Sequence, residues 1–275
     1  MSRSSRATVV LPFDAYHLDD AALATIADAR SALVRECMAD KGFDWKESYG
    51  FEEGNPLLAG NARRYGLADS EAAERYGYHV PDSPQERQAQ AAEAAWRELA
   101  SKEEKAALYD PDGCADRTDS ALWKGIGDRN TSWFTDLEFE AVDLSAEDPA
   151  VASAIQAWSD CMHDKGFDYR TPQAAVEDRR WKLDSPRVSP AERAVAVADV
   201  GCKKRTDLIA ARTAAEQLIQ AKMLEQHAKR FEALRKMNAH LVGNARHVLD
   251  SDDTNDGVLT VPRSAGTARD AAVPG

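Results

Sequence analysis

Two stretches of this chain repeat each other, in the same order. Residues 36–45 read ECMADKGFDW and residues 160–169 read DCMHDKGFDY, with seven of ten positions identical. Downstream, residues 101–119 (SKEEKAALYDPDGCADRTD) align without a gap to residues 189–207 (SPAERAVAVADVGCKKRTD). Two ordered matches mark a duplicated unit, covering residues 20–125 and again 148–215. A duplication constrains the fold before any element is assigned, because both copies must accept the same architecture.

That architecture reads as a helical hairpin. In the first copy Leu23, Ile26, Leu33, Val34 and Cys37 recur at helical spacing and stop at Gly42. In the second, Val151, Ile155, Trp158 and Cys161 do the same and stop at Gly166. A glycine just past an apolar row is a helix C-terminus signal, since it takes positive φ without penalty. Asp148–Pro149 reads as N-cap and first helical residue. Ser101 with Glu104, Ser189 with Glu192 and Ser83 with Glu86 read as capping boxes, and Thr171–Pro172 opens a short helix. No segment alternates with period two, so the expected class is all-α: two duplicated hairpins and one long C-terminal helix. From Ser189 to about Leu249 only Gly201 and Gly243 interrupt the pattern, and Leu208, Ala211, Ala215, Leu218, Leu224, Phe231, Leu234, Leu241 and Val248 supply its apolar row. Such a helix either packs along both units or pairs with a partner helix, so self-association through it is one expectation.

The copies differ in one large respect. Trp45 precedes Ser101 by 56 residues, whereas Tyr169 precedes Ser189 by 20, so the first copy carries 36 extra residues within 46–100. The expected organisation is an N-terminal extension (1–19), a first module (20–147) with its insertion, a second module with the long helix (148–249) and a disordered tail (250–275). The insertion gathers Arg63, Arg64, Tyr65, Tyr76, Tyr78 and His79, residue types that dominate binding interfaces. These six are the candidate ligand- or partner-binding residues. The alternative is that the insertion only packs onto the surface.

Each copy holds two cysteines at equivalent places: Cys37 and Cys114, then Cys161 and Cys202. Retention of both members in both copies fits two intra-copy disulfides. Buried free thiols or a zinc site are the alternatives, although no closely spaced CxxC pair exists. Disulfides imply an oxidising compartment, yet MSRSSRATVVLPFDAY lacks an apolar core long enough for a signal peptide. The expectation is therefore an extracytoplasmic protein whose leader is absent from this sequence, with a cytoplasmic protein of reduced thiols as the alternative.

The LPFDAY opening, the RECMADKGFDW block, the RRYGLAD and RYGYHVP elements and the AVADVGCKKRTDL block together resemble a group of uncharacterised actinobacterial secreted proteins and lipoproteins. The likeness runs over residues 8–240. It implies a two-module, four-cysteine body attached to the outer face of a membrane, with no catalytic role assigned.

Chemistry is mostly excluded. The net charge of −12 disfavours nucleic acid as a partner, and no apolar run is long enough to cross a bilayer. Zinc-protease, serine-hydrolase and nucleotide-binding motifs are missing. Residues 251–257 (SDDTNDG) fail as a calcium loop because Arg263 stands where the twelfth-position glutamate belongs. No catalytic residue, metal or cofactor is assigned. Residues 203–236 carry nine Lys/Arg against four Asp/Glu, which reads as an electrostatic match to the acidic body. The expected function is a non-catalytic cell-envelope binding or interaction protein. The alternative is an enzyme with its site around His79.

Overall fold

A computed structural model describes residues 9–45, 55 and 57–256, with side chains as far as Ser251. Residues 1–8, most of 46–56 and the tail from 257 onwards lie outside the described residues. The fold is all-α, with no strand among the described residues. In chain order the helices are α1 (Asp20–Asp40), α2 (Ser70–Tyr76), α3 (Pro84–Leu99), α4 (Lys102–Tyr109), α5 (Cys114–Leu122) and α6 (Ser132–Ala146). Then come α7 (Pro149–Asp164), α8 (Pro172–Val176), α9 (Pro190–Arg205), α10 (Leu208–Gln226) and α11 (Ala228–Asp256). A 3-10 turn, Pro12–Tyr16, precedes α1, and a second, Arg179–Trp181, precedes α9.

The repeated blocks end their helices alike. Gly42 and Gly166 both sit at φ 83°. In each case the next residue donates back five positions: Phe43 N to Met38 O at 2.9 Å, and Phe167 N to Met162 O at 3.0 Å. Gly42 N and Gly166 N donate to Ala39 O and His163 O, completing the same C-terminal motif twice. One disulfide joins the helices of each hairpin. Cys37 bonds Cys114 and Cys161 bonds Cys202, with Cα separations of 5.6 and 5.7 Å.

Two features depart from the expected hairpins. In the first copy the second helix splits into α4 and α5 at Asp110–Pro111–Asp112–Gly113. Proline removes an N–H and pushes Asp110 to extended backbone at ψ 159°, and Asp112 takes φ 63°. The second copy has Ala198, Asp199 and Val200 at the matching places and runs through as α9. The segment from Ser189 is also not one helix. Thr206 Oγ1 turns back onto Cys202 O at 2.9 Å and Asp207 adopts φ 50°, which separates α9 from α10. A second break at His227 separates α10 from α11. Leu218, placed in the apolar row, is 73 % exposed instead.

The core forms four adjoining clusters. Val34, Met38, Trp45 and Leu108 pack around the first disulfide. Ala29, Leu122, Leu241 and Ala245 join α1 and α5 to α11. Phe13, Phe134, Leu137, Met223 and Phe231 form an aromatic-rich contact between the N-terminal turn, α6, α10 and α11. The apolar face of α11 is thus covered within the chain. The largest cluster surrounds the second disulfide, with Trp158, Met162, Trp181, Val195 and Val200. It also takes in Leu67, Ala72, Ala73 and Tyr78 from the first copy's insertion. The insertion therefore packs into the core of the other copy.

The disulfides close loops with sequence separations of 77 and 41 residues. Chain-entropy arithmetic gives each a stabilisation of about 4 kcal/mol. Replacing either pair by alanines is expected to lower the urea midpoint correspondingly, and non-reducing peptide mapping should recover Cys37–Cys114 and Cys161–Cys202. Free thiols or a cross-copy bridge would contradict the pairing.

Candidate functional site

The insertion is held by polar side chains that α9 and α10 bury. Glu192, Asp199 and Lys203 are spaced by seven and four residues, so they share one face of α9. All three are fully buried. Glu192 Oε1 accepts from Tyr78 N at 2.9 Å and lies 2.8 Å from His79 Nδ1. Lys203 Nζ donates to Leu67 O at 2.9 Å and pairs with Asp199 at 3.0 Å. Asp199 also accepts from the Trp158 indole at 3.0 Å. Burial pushes the Asp199 carboxyl up and the Lys203 amine down, and each partner's charge opposes that shift. Gly77 is required here: it sits at φ 57°, and a Cβ would come within 2.4 Å of Glu192 Oε1.

On α10, Glu216 and Gln220 play the same part. Glu216 binds Arg64 Nη2 and accepts from the Tyr65 hydroxyl at 2.8 Å. Gln220 donates to Glu216 at 2.7 Å and accepts from Phe13 N at 2.9 Å, tying in the N-terminal turn.

The six residues singled out in the insertion are not gathered at one surface. Tyr78 and His79 are buried, and burial raises the Tyr78 hydroxyl well above its ordinary range. Tyr65 lies under the Arg212 guanidinium at 5.1 Å, and Tyr76 is partly buried with Arg75 over its ring. Arg63 donates to Tyr78 O and His79 O at 2.9 and 3.2 Å, closing the loop between residues 63 and 79. His79 beside Glu192 has the look of a base with its orienting carboxylate. Its other nitrogen, however, is 2.7 Å from Ser185 O. A carbonyl only accepts, so Nε2 holds its hydrogen there and is not offered to a substrate. The expected capping box at Ser189 is half made for the same reason. Ser189 accepts from Glu192 N at 3.0 Å, while the Glu192 carboxylate has gone to the insertion.

Arg63 and Arg64 do line a cleft of about 660 Å³. Its walls are the N-terminal turn with His17 and Asp14, the start of α1 with Asp19 and Asp20, the loop 57–69, and Glu138 of α6. Asp14 holds the wall together by accepting from Asn61 Nδ2 at 2.9 Å and from Leu11 N at 2.8 Å. His17 Nε2 bridges to Glu138 Oε1 at 3.1 Å, and that hydrogen bond raises the imidazole above its ordinary range. Glu138 also lies 3.7 Å from Arg64 Nη1. Sequence reasoning missed His17, Asn61 and Glu138, because they come from three segments far apart in the chain.

No helix of the described residues is long and apolar enough to cross a membrane. Among the described residues no group of three or more His, Cys, Asp or Glu is placed to hold a metal ion. No family profile, curated protein or solved structure matches this chain.

Removing one member of a buried ion pair strands the other charge, at a cost of about 3–5 kcal/mol. Lys203→Met is therefore expected to destabilise the fold by that order, with Asp199→Leu/Lys203→Met recovering part of the loss. Chemical denaturation measures both. A K203M variant of unchanged stability would contradict the anchoring role.

Proposed function

We propose that this is a non-catalytic binding protein of the cell envelope that takes its ligand in the cleft between the N-terminal turn, α1, the insertion and α6. The observation that carries this reading is where the cleft lies. It is walled largely by the N-terminal segment and the inserted loop, neither of which belongs to the repeated blocks. Segments added to a scaffold are where function concentrates. Its size suits a small organic ligand, and its wall combines aliphatic residues with converging polar groups.

The two disulfides support an oxidising compartment. The resemblance to actinobacterial lipoproteins extends that reading to attachment on the outer face of a membrane through a lipid-bearing leader. An enzyme centred on His79 gains nothing from the geometry, since both ring nitrogens are engaged by the protein's own acceptors.

Ala62→Trp tests the reading, because Ala62 lines the cleft while remaining exposed. Small molecules from an envelope extract of the native host are passed over the immobilised protein and identified by mass spectrometry. The wild type is expected to retain a compound that the variant, with an unchanged melting temperature, does not. Identical profiles would overturn a ligand site in this cleft.

A further inference from the structure

The charges around the cleft are unevenly satisfied, and the imbalance points to a class of ligand. Among the described residues five carboxylates line it (Asp14, Asp19, Asp20, Asp69 and Glu138) against the guanidiniums of Arg63 and Arg64. The cations are already engaged. Arg64 is bound by Glu216, which is buried behind the wall, and lies beside Glu138. Arg63 is spent on two backbone carbonyls, with Asp69 the acid that acts on it. By contrast, Asp14 and Asp19 accept from neutral donors: Leu11 N and Asn61 Nδ2 for the first, Ala22 N for the second.

Among the described residues, five negative and two positive groups leave a formal charge of −3 when His17 is neutral. The N-termini of α1 and α2 also approach this wall, through Asp19 and Asp69. Their dipoles return about half a positive charge each, which still leaves roughly two negative charges. An anionic ligand would have to displace the internal partners of both arginines. A cation would meet carboxylates whose present partners are uncharged.

Apart from His17 and Asn61, the remainder of the lining is aliphatic, chiefly Val9, Leu18, Leu57, Ala62 and Leu67. Among the described residues no phenyl, phenol or indole ring lines it, and its His17 imidazole is already bonded to Glu138 and packed on Phe134, so the described wall offers no aromatic cage for a quaternary ammonium. We propose that the cleft binds an aliphatic organic cation, a saturated chain carrying ammonium groups, with its carbon body on the aliphatic wall and its ammonium ends on the Asp14, Asp19 and Asp20 carboxylates. This rests on the reading of the cleft as the ligand site.

The test uses three five-carbon probes against the full chain by calorimetry at low salt: 1,5-diaminopentane, glutarate and 1,5-pentanediol. Saturable binding of the diamine alone is expected. Asp19→Asn/Asp20→Asn should weaken it roughly five- to twenty-fold, as expected for two exposed charge contacts. The melting temperature should hold, because Asn caps a helix about as well as Asp. Affinity should also tighten as pH rises through the titration of His17, which faces Glu138 of α6, Asp14 of its own turn and Arg64 of the loop. Loss of that proton removes a positive charge from the wall.

Glutarate or the diol binding as tightly, or a diamine affinity untouched in the double variant, would overturn the cationic class. Should no probe bind while Ala62→Trp still abolishes retention of an extract compound, the cation proposal falls and the cleft reading stands. Should both experiments fail, both fall.

Discussion

The arrangement depends on a row of charged groups that α9 buries. Glu192, Asp199 and Lys203 would be costly in an apolar core if left alone. Each instead finds partners in the insertion or in a neighbour: Tyr78 N and His79 for Glu192 Oε1, Leu67 O and Asp199 for Lys203, Trp158 for Asp199; the other Glu192 oxygen is buried with no hydrogen-bond partner among the described residues. Hydrogen bonds of this kind have fixed directions. They specify one register for the inserted loop, where the apolar contacts of Leu67, Ala72 and Tyr78 would tolerate several. Glu216 and Gln220 repeat the device one helix later and extend it to the N-terminal turn. The cleft exists because these anchors place the loop 57–69 against the turn and α6.

The two copies diverge at the residues this interlock needs. Under the ungapped alignment Asp199 and Lys203 fall opposite Pro111 and Ala115, and Trp158 falls opposite Val34. The first copy thus lacks the polar row, and its second helix breaks at Pro111 where α9 continues. Only Glu192 has an acidic counterpart, Glu104, which accepts from Trp96 Nε1 at 3.3 Å. In both copies the glutamate three residues into the second helix reaches outward to a preceding segment. One of the two similar hairpins is conventionally apolar, and the other receives the insertion.

Much of the scaffold was legible in the sequence, because its signals are local. Gly42, Gly166, Asp148–Pro149, Ser83 and Thr171 act within a few residues of where they stand, and the cysteine pairs followed from the repeat. The long-range anchors were not legible. Glu192 sits where a capping glutamate belongs, and nothing local says that its carboxylate serves a loop more than a hundred residues away. Lys203 was counted among the basic residues matched to the acidic body as a whole, yet it is buried on one specific partner. A position-by-position comparison of the copies held the missing signal, since a buried polar residue unique to one copy implies a partner unique to the chain. The basic C-terminal region also works differently from a simple match of opposite charges. Arg230 lies 4.3 Å over Trp133 and Arg235 lies 5.0 Å over Tyr16, so these cations cover aromatic rings at the edge of the core.

If the buried row fixes the insertion, its backbone is protected only as well as those anchors hold. Native-state hydrogen exchange of the Tyr78 amide, which donates to Glu192, tests this most directly. In the wild type it should exchange as slowly as the core of α9. In Glu192→Gln, which removes the charge but keeps the shape, the amides of residues 63–79 should exchange faster together, while those of α1 and α5 stay protected. A Tyr78 amide that exchanges rapidly in the wild type, or a variant in which residues 63–79 are unchanged, would contradict the account.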